Sequence, residues 1–269
     1  MKKFITCVVL FIINTFVFSQ TNLRISDLRT MGMGGSNITH SFYFNPSCLS
    51  LSTSQFIDIN YFNKYQLKEL SSVSIVYGNS EFQLPFAFHI STFGYDKYRE
   101  TMFRLVLSKR VSSEWIVGIS TQYALLQTEL YEAEVKKLST DIGILYIPDE
   151  NLLIGLSITD FPSIRLDKES IHIEDFNYYS IQTGCQYQFI NNLLIASSIR
   201  YTNQSALRIY SGLEYTVYND FYLRTGLQTN PVIPVFGVGM KRPVFHVDMA
   251  VNYHLLLGIS SGIGITYLF

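Results

Sequence analysis

The chain of 269 residues has little charge. Asp, Glu, Lys and Arg make up 15% of it, against about 25% in ordinary soluble domains. The formal net charge of -1 excludes the basic surface expected of a nucleic-acid-binding protein. Beyond its N-terminus the sequence also lacks an apolar run long enough for a membrane-spanning helix. What it has in quantity is aromatic side chains, with 19 Tyr and 20 Phe against a single Trp.

Cysteine is scarce as well. Cys7 lies in the N-terminal apolar run, which leaves Cys48 and Cys185 in the rest of the chain. A disulfide between these two cysteines is one possibility. However, Cys185 falls on the outward face of its strand, which favours two free thiols.

Residues 1–19 are predicted to be a signal peptide. Two lysines precede an apolar core, Phe4–Phe18, and Val17 and Ser19 supply small residues at cleavage spacing before Gln20. The alternative is an uncleaved membrane anchor, but a run of about 15 residues is short of the ~20 that span a bilayer. Export without a helical span indicates the outer membrane of a Gram-negative cell.

Residues 20–54 do not alternate in polarity and are predicted to form a compact plug segment packed against something larger. Gly32, Gly34 and Gly35 permit positive φ angles and close backbone approach. Asn45 and Pro46 fix a turn. A phosphate-binding loop is excluded, because no Lys-Ser/Thr pair follows the glycines and no strand precedes them.

Residues 55–269 alternate with a period of two, which is typical of β-strands with one apolar face. In Ile259–Phe269, isoleucines and aromatic residues alternate with serines and glycines. Such an edge strand would aggregate in water, whereas a closed barrel in lipid has no edge and needs an apolar exterior. The sequence therefore predicts an all-β fold, a transmembrane antiparallel β-barrel of about 14 strands, the even number typical of bacterial barrels.

The connections between the predicted strands alternate between short turns and longer loops. We expect the longer loops at Asn63–Glu69, Gly94–Glu100, Gln127–Lys137 and Asp160–Asn177. Short turns are periplasmic in outer-membrane barrels, which predicts that both termini are periplasmic. The final aromatic residues, Tyr267 and Phe269, are predicted to form a C-terminal assembly signal.

The predicted inward face carries charged residues. They are Arg104, Asp141, Arg200, Arg208, Glu214, Arg224, His246 and Asp248. Charges are tolerated in a lumen because they meet water, each other or a plug. One interpretation is a ladder of ion pairs that braces the barrel. The other is a selectivity or substrate surface, in which the three arginines of the second half favour an anionic head group.

An enzyme is not expected. The chain has no G-x-S-x-G motif, and its five histidines lack metal-ligand spacing. We therefore predict no catalytic residues, no metal and no cofactor.

Two stretches near the N-terminus resemble a known family. Met31-Gly-Met-Gly-Gly-Ser and Asn45-Pro-Ser-Cys-Leu-Ser are similar to the N-terminal signature of the FadL-like superfamily of long-chain fatty acid transporters, in which a glycine-rich run precedes Asn-Pro-Ala-Gly-Leu. Motifs nearer the C-terminus, such as Phe236-Gly-Val-Gly-Met and Val247-Asp-Met-Ala-Val, resemble the Bacteroidetes branch of these barrels. That branch includes the PorV and PorQ proteins of the type IX secretion system.

The resemblance implies a fourteen-stranded barrel with an N-terminal plug and a role as a secretion-system or surface-assembly component. The alternatives are a passive outer-membrane transporter for small hydrophobic molecules and a structural barrel without cargo. The implied partners are outer-membrane lipid and either secretion-system proteins or a hydrophobic small molecule. Ser47 and Cys48 replace the usual Ala and Gly, and the chain is short for a fatty-acid transporter. No fatty-acid site is therefore carried over.

Overall fold

The computed structural model describes residues 27–36, 38–129, 134–166, 178–218 and 220–269. The predicted signal peptide, residues 1–19, and the first residues of the predicted plug lie outside these ranges. Within them, no helix combines the length and the apolar character needed to cross a membrane.

Strands dominate the described residues. One short α-helix, α1, spans Leu28–Gly32, and two 3-10 helices span Pro46–Leu51 and Lys68–Leu70. The strands are Gln55–Asn63 (β1), Ser71–Asn79 (β2), Phe86–Tyr95 (β3), Tyr98–Arg110 (β4), Trp115–Thr128 (β5), Val135–Asp149 (β6), Leu152–Thr159 (β7), Ser163–Arg165 (β8), Ser180–Ile190 (β9), Leu193–Thr202 (β10), Ser205–Tyr218 (β11), Phe221–Gln228 (β12), Ile233–Lys241 (β13), Phe245–His254 (β14) and Gly258–Leu268 (β15).

Fourteen of these strands form a closed antiparallel barrel, which confirms the predicted fold class. Each barrel strand pairs with its neighbours in chain order, and β1 closes the ring by pairing with β15, from Phe56↔Leu268 to Asn63↔Ser261. The exception is the three-residue β8, which pairs with one end of β6 outside the ring, while β7 pairs directly with β9.

The two faces of the barrel wall differ as the alternation predicts. On β1, Ile57, Ile59 and Tyr61 are 37–47% exposed, whereas Asp58 and Asn60 between them are buried. The same pattern repeats around the ring and on the last strand, where Ile263 and Ile265 point outward. Every strand of a closed barrel has its backbone paired, so an apolar exterior of this kind is suited to lipid.

Several strand ends differ from the sequence prediction. Alternation predicts a third strand over Phe82–Phe93, but the strand begins at Phe86, directly after Pro85, which cannot donate to the ladder. The long loop expected at Gly94–Glu100 is wrong, because β3 and β4 continue to the pair Tyr95↔Tyr98 and leave a two-residue turn. The loop expected at Gln127–Lys137 likewise shrinks to residues 129–134. Polar residues in these two stretches predicted loops, but the backbone hydrogen bonds between two strands can continue into water beyond the apolar band.

The hydrophobic core lies inside the barrel, where the N-terminal segment meets the wall. Its main cluster consists of Tyr43, Phe44, Leu49, Phe56, Val76, Ala87 and Val106. The first three belong to the N-terminal segment and the others to β1–β4, so the segment supplies side chains that fill the lumen.

Candidate functional site

The candidate site is the lumen and the N-terminal segment inside it, residues 27–36 and 38–54. Helix α1 contacts β12, β13, β14 and β15, and the 3-10 helix Pro46–Leu51 contacts β4, β5 and β6 on the other side of the barrel. The segment thus spans the lumen from wall to wall.

Glycines on the inward face mark where the segment touches the wall. A Cβ atom at Gly118 would collide with the backbone of Pro46 and Ser47, and one at Gly143 with the side chain of Asn45. Inward glycines elsewhere on the wall meet the segment in the same way: Gly155 at Ile38, Gly212 at Met33, Gly226 at Gly34 and Gly237 at Gly32. The inner face of the wall therefore lacks side chains at these positions along the path that the segment follows, which leaves a groove for it.

The predicted plug glycines lie at this contact. Gly32 ends α1, where a Cβ would lie 3.1 Å from the Cα of Gly237. Gly34 has a φ of +68°, and a Cβ there would lie 2.5 Å from the backbone nitrogen of Leu227. Gly35, with a φ of +86°, lies against the ring of Tyr210. Positive φ and close approach together require glycine at both positions.

Asn45 and Pro46 organise the second turn of the segment. The Asn45 side chain accepts from the backbone nitrogen of Ser47 at 3.2 Å and caps the 3-10 helix that Pro46 begins. Its amide also donates to the carbonyls of Ile38 at 2.7 Å and of Ile144 on β6 at 3.2 Å. One fully buried side chain therefore connects two parts of the segment to the wall.

Glu214 on β11 is the centre of the first buried charge cluster. Arg29 of α1 donates to both of its carboxylate oxygens at 2.8 Å, and Arg224 of β12 donates to one of them at 2.6 Å. Arg224 also pairs with Asp248 on β14. The segment is thus attached to three strands through one network of charges.

Arg104 and Asp141 form a second buried pair, at 2.8 Å, between β4 and β6. Arg104 also donates to the carbonyl of Tyr43 in the segment at 2.7 Å. Asp141 accepts from the backbone of Asp160 at 2.8 Å, and Asp160 lies 3.3 Å from the Lys137 amine. These contacts connect β4, β6 and the segment through buried charged groups, and the bracing role stays a prediction.

Arg200 and Arg208 face each other across β10 and β11. The Arg200 guanidinium lies 4.8 Å from the ring centres of Phe44 and Tyr210. Arg224 pairs with Glu214, six residues beyond Arg208 on β11, which is about 20 Å along a strand. The three arginines therefore do not form one anion-binding surface.

His246 and Asp248 line a partly open cavity of about 160 Å³ between the segment and the wall. Asp58 of β1 and His40 and Asp27 of the segment lie on its other sides. Leu28, Phe42 and Phe56 also line the cavity, which is small and offers space for water or a small group. Among the described residues, no group of three or more His, Cys, Asp or Glu side chains is placed to hold a metal ion.

The electrostatics of the segment follow from its burial. Burial alone would lower the pKa of Arg29, but the contact with Glu214 raises it well above its usual value, so this cation is fixed. Burial, and then the nearby charge of Arg29, lowers the pKa of His40 to about 4. His40 is therefore neutral at pH 7, and its Nε2 lies 3.2 Å from the Thr30 hydroxyl.

Cys48 and Cys185 are both free thiols, the first buried in the segment and the second exposed on the outer face of β9. Tyr267 and Phe269 are also on the outer face, with their rings stacked at 5.9 Å. Their role as an assembly signal stays a prediction.

Sequence reasoning missed several residues of this site. Arg29 belongs to a stretch without periodicity, so no pattern assigned it a face. Asp58 and Asn60 could have been found, because they alternate with Ile57, Ile59 and Tyr61 on β1. Asp58 accepts from the Tyr43 hydroxyl at 2.6 Å and so connects the wall to the segment.

Comparison with known proteins places the fold. No family model and no curated protein sequence matches the chain. Solved structures do. The toluene transporter TodX of Pseudomonas putida superposes with a TM-score of 0.62 at 13% identity, over 90% of this chain and 99% of that one. A FadL homologue of Pseudomonas aeruginosa gives a TM-score of 0.64 at 12% identity, over 92% and 99% of the two chains.

The outer membrane protein Omp33 of Acinetobacter baumannii is more distant, with a TM-score of 0.50 at 9% identity over 81% of this chain and all of that one. The chain therefore has the fold of FadL-type outer-membrane barrels. At these identities the similarity concerns the fold alone. The PorV and PorQ branch is not among these neighbours.

Proposed function

We propose that this chain is a non-enzymatic outer-membrane barrel that lets small hydrophobic molecules pass when its N-terminal segment moves. The observation that carries the proposal is the groove of inward glycines in the barrel wall, which the N-terminal segment occupies. A barrel of about eight strands can fill its interior with its own side chains, but a wider one encloses a lumen, and here inward glycines shape that lumen to fit a separate piece of chain. A pore closed by a plug accounts for that arrangement. The chemical class of the cargo is taken from the neighbours TodX and the FadL homologue.

The orientation in the membrane is part of the proposal. Phe269 bonds to the carbonyl of Gln55 at 3.1 Å, so β1 begins and β15 ends at the same end of the barrel. All six hairpin connections at that end have at most six residues, whereas the other end has two-residue turns at 96–97 and 203–204 but also the longest connections, 64–70 and 160–179. Short turns are periplasmic in known barrels, which supports periplasmic termini and a segment inserted from the periplasm.

Uptake in living cells tests the transport function. We would express the chain in a Gram-negative host that lacks its own FadL-type barrels and measure the entry of radiolabelled toluene. Uptake above that of cells with an empty vector is expected. The variant Glu214→Ala removes the carboxylate that holds Arg29 and should raise uptake further, whereas Leu67→Ala, at an exposed loop leucine, is the control and should leave uptake unchanged. A heat-induced gel shift checks that each variant is folded.

The alternative is a secretion-system or surface-assembly component. The observation that favours it is the filled lumen, since a barrel that only presents a surface to protein partners has no need of an open path. Native mass spectrometry of the protein extracted from its own membrane in mild detergent separates the two. A retained protein partner together with no toluene uptake would replace the transport proposal by this one.

A further inference from the structure

The turn between β14 and β15 differs from the other turns at its end of the barrel. Its three residues, Leu255, Leu256 and Leu257, are 72%, 88% and 53% exposed. The turn is ordered, because the His254 Nδ1 accepts from the backbone nitrogens of Leu256 and Leu257 at 3.2 Å. An ordered turn with three outward leucines and no charge is unsuited to water.

The leucines continue the apolar face of their own hairpin. Met249, Val251 and Tyr253 point outward along β14, each 44–46% exposed. Leu255 follows Tyr253 by two residues, or about 7 Å along the strand direction. The exposed apolar surface therefore runs from the wall to the tip of the hairpin without interruption.

Strand length places this tip at the edge of the membrane. β14 has 10 residues, which at ~3.4 Å per residue and a tilt of ~40° rise by about 26 Å, close to the ~25 Å apolar band of such barrels. The turn at 96–97 at the same end follows β3, which also has 10 residues and ends at the pair Tyr95↔Tyr98, while the extra residues of β4 lie at the opposite end. The turn before β4 is charged, with Lys97 paired to Glu129 at 3.1 Å. Two turns that follow strands of equal length therefore differ in chemistry, because one carries charges that need water and the other carries three exposed leucines.

We propose that the turn Leu255–Leu257 inserts its side chains among the acyl chains of the leaflet at that rim. The occupant is lipid, because the leucines extend a face that already contacts lipid and the hairpin is only as long as the apolar band. On the orientation proposed above, this is the outer leaflet. The inference requires a barrel in a membrane and does not depend on transport, so a barrel that carries nothing would behave in the same way.

Tryptophan fluorescence in lipid vesicles tests it. The full chain with Trp115→Phe, to remove the single native tryptophan, receives Leu256→Trp and is refolded into phosphatidylcholine vesicles with and without lipids brominated on the acyl chains. The inserted indole should emit at short wavelength and lose most of its fluorescence to the brominated lipid. Lys97→Trp in the same background is the matched control and should emit at long wavelength without quenching.

The opposite results would overturn the proposal. A Leu256→Trp indole that emits like the Lys97→Trp control and is not quenched would leave the leucines in water, free for a protein partner. Leu255→Trp provides a second reading from the same turn, should Leu256→Trp fail to fold. Bromine near the head group should quench more strongly than bromine near the chain ends, because the turn lies at the edge of the band.

Discussion

The two parts of the N-terminal segment are held in the barrel by different forces. The first part, residues 27–36, contacts β11–β15 through the Arg29–Glu214 ion pair and the close approach of its glycines. The second part, residues 38–54, contacts β1–β7 through the buried cluster around Leu49 and the hydrogen bonds of Asn45. Inward glycines fit both parts, but the first part is also held by the ion pair of Arg29, whereas the second contributes Tyr43, Phe44 and Leu49 to the buried apolar cluster.

This difference determines which part can be released. Apolar burial is non-directional, so it survives small shifts and loses strength gradually. A buried ion pair is strongly destabilised as soon as one partner is removed, because the other charge is left uncompensated. The first part is therefore the one that a single change of charge can undock, and the partly open cavity next to it lets water reach the opened contact.

The largest expected effect comes from removing the shared carboxylate. Glu214→Ala leaves the Arg29 and Arg224 guanidinium groups without it and should cost about 3–5 kcal/mol. Amide hydrogen exchange should then accelerate in residues 27–36 and stay unchanged in residues 45–51. Glu214→Gln keeps the shape and should cost less. Equal acceleration in both parts would mean that the segment is held as one unit.

Removal of apolar contact should affect the second part alone. Leu49 is fully buried, and Leu49→Ala should cost about 2–5 kcal/mol through lost burial and the cavity left behind. Hydrogen exchange should rise in residues 45–51 while residues 27–36 stay protected. Leu67→Ala, at an exposed loop leucine, is the control and should change little. Loss of protection at α1 in the Leu49 variant would contradict the separation of the two parts.

The close contact between the first part and the wall can be tested by adding one methyl group at Gly34. Gly34→Ala adds a Cβ at a φ of +68° against the backbone of Leu227 and Ser211, and should cost about 1–3 kcal/mol. Gly258 has a φ of +89° with nothing within 4 Å. Gly258→Ala therefore bears the same kind of backbone strain without the collision. Urea unfolding midpoints should fall more for the Gly34 variant, and equal shifts would exclude the close contact as the cause.

The fold was predictable from the sequence because the side chains of each strand reflect the environment on its two faces. Lipid outside and small or polar groups inside impose alternation residue by residue, so every strand can be assigned without knowledge of its neighbours. The same reasoning could place Arg224 and Asp141 on the inward face. It failed at Gly94–Glu100, because a ladder that continues above the apolar band no longer alternates between lipid and lumen.

The contacts within the lumen were not predictable in the same way. Alternation gives the side of the wall on which a residue lies, but not which residues meet across it. Arg29 and Glu214 are 185 residues apart in the chain, and their contact depends on the path of a segment without periodicity. The inward glycines did carry a signal, since they indicated bulk inside the barrel, but they could not identify which residue of the segment each one meets.

The smallest expected effect is a dependence on pH, which arises where the two parts touch. His40 lies near the start of the second part and contacts Thr30 of the first, and burial and the charge of Arg29 lower its pKa from 6.5 to about 4. An undocked segment with a hydrated His40 therefore binds more protons between these pH values, so docking weakens as the pH falls from about 6.5 to about 4 and changes no further below.

Hydrogen exchange of residues 27–36, corrected for the intrinsic pH dependence of exchange, measures this effect. Protection should decrease in the wild type as the pH falls through that window, and the slope should become clearly shallower in His40→Gln, which keeps a polar side chain but does not titrate. A wild-type profile that stays flat would show that His40 remains buried and neutral when the first part opens. In that case the hinge between the two parts lies before His40, and the charge network around Glu214 alone controls release.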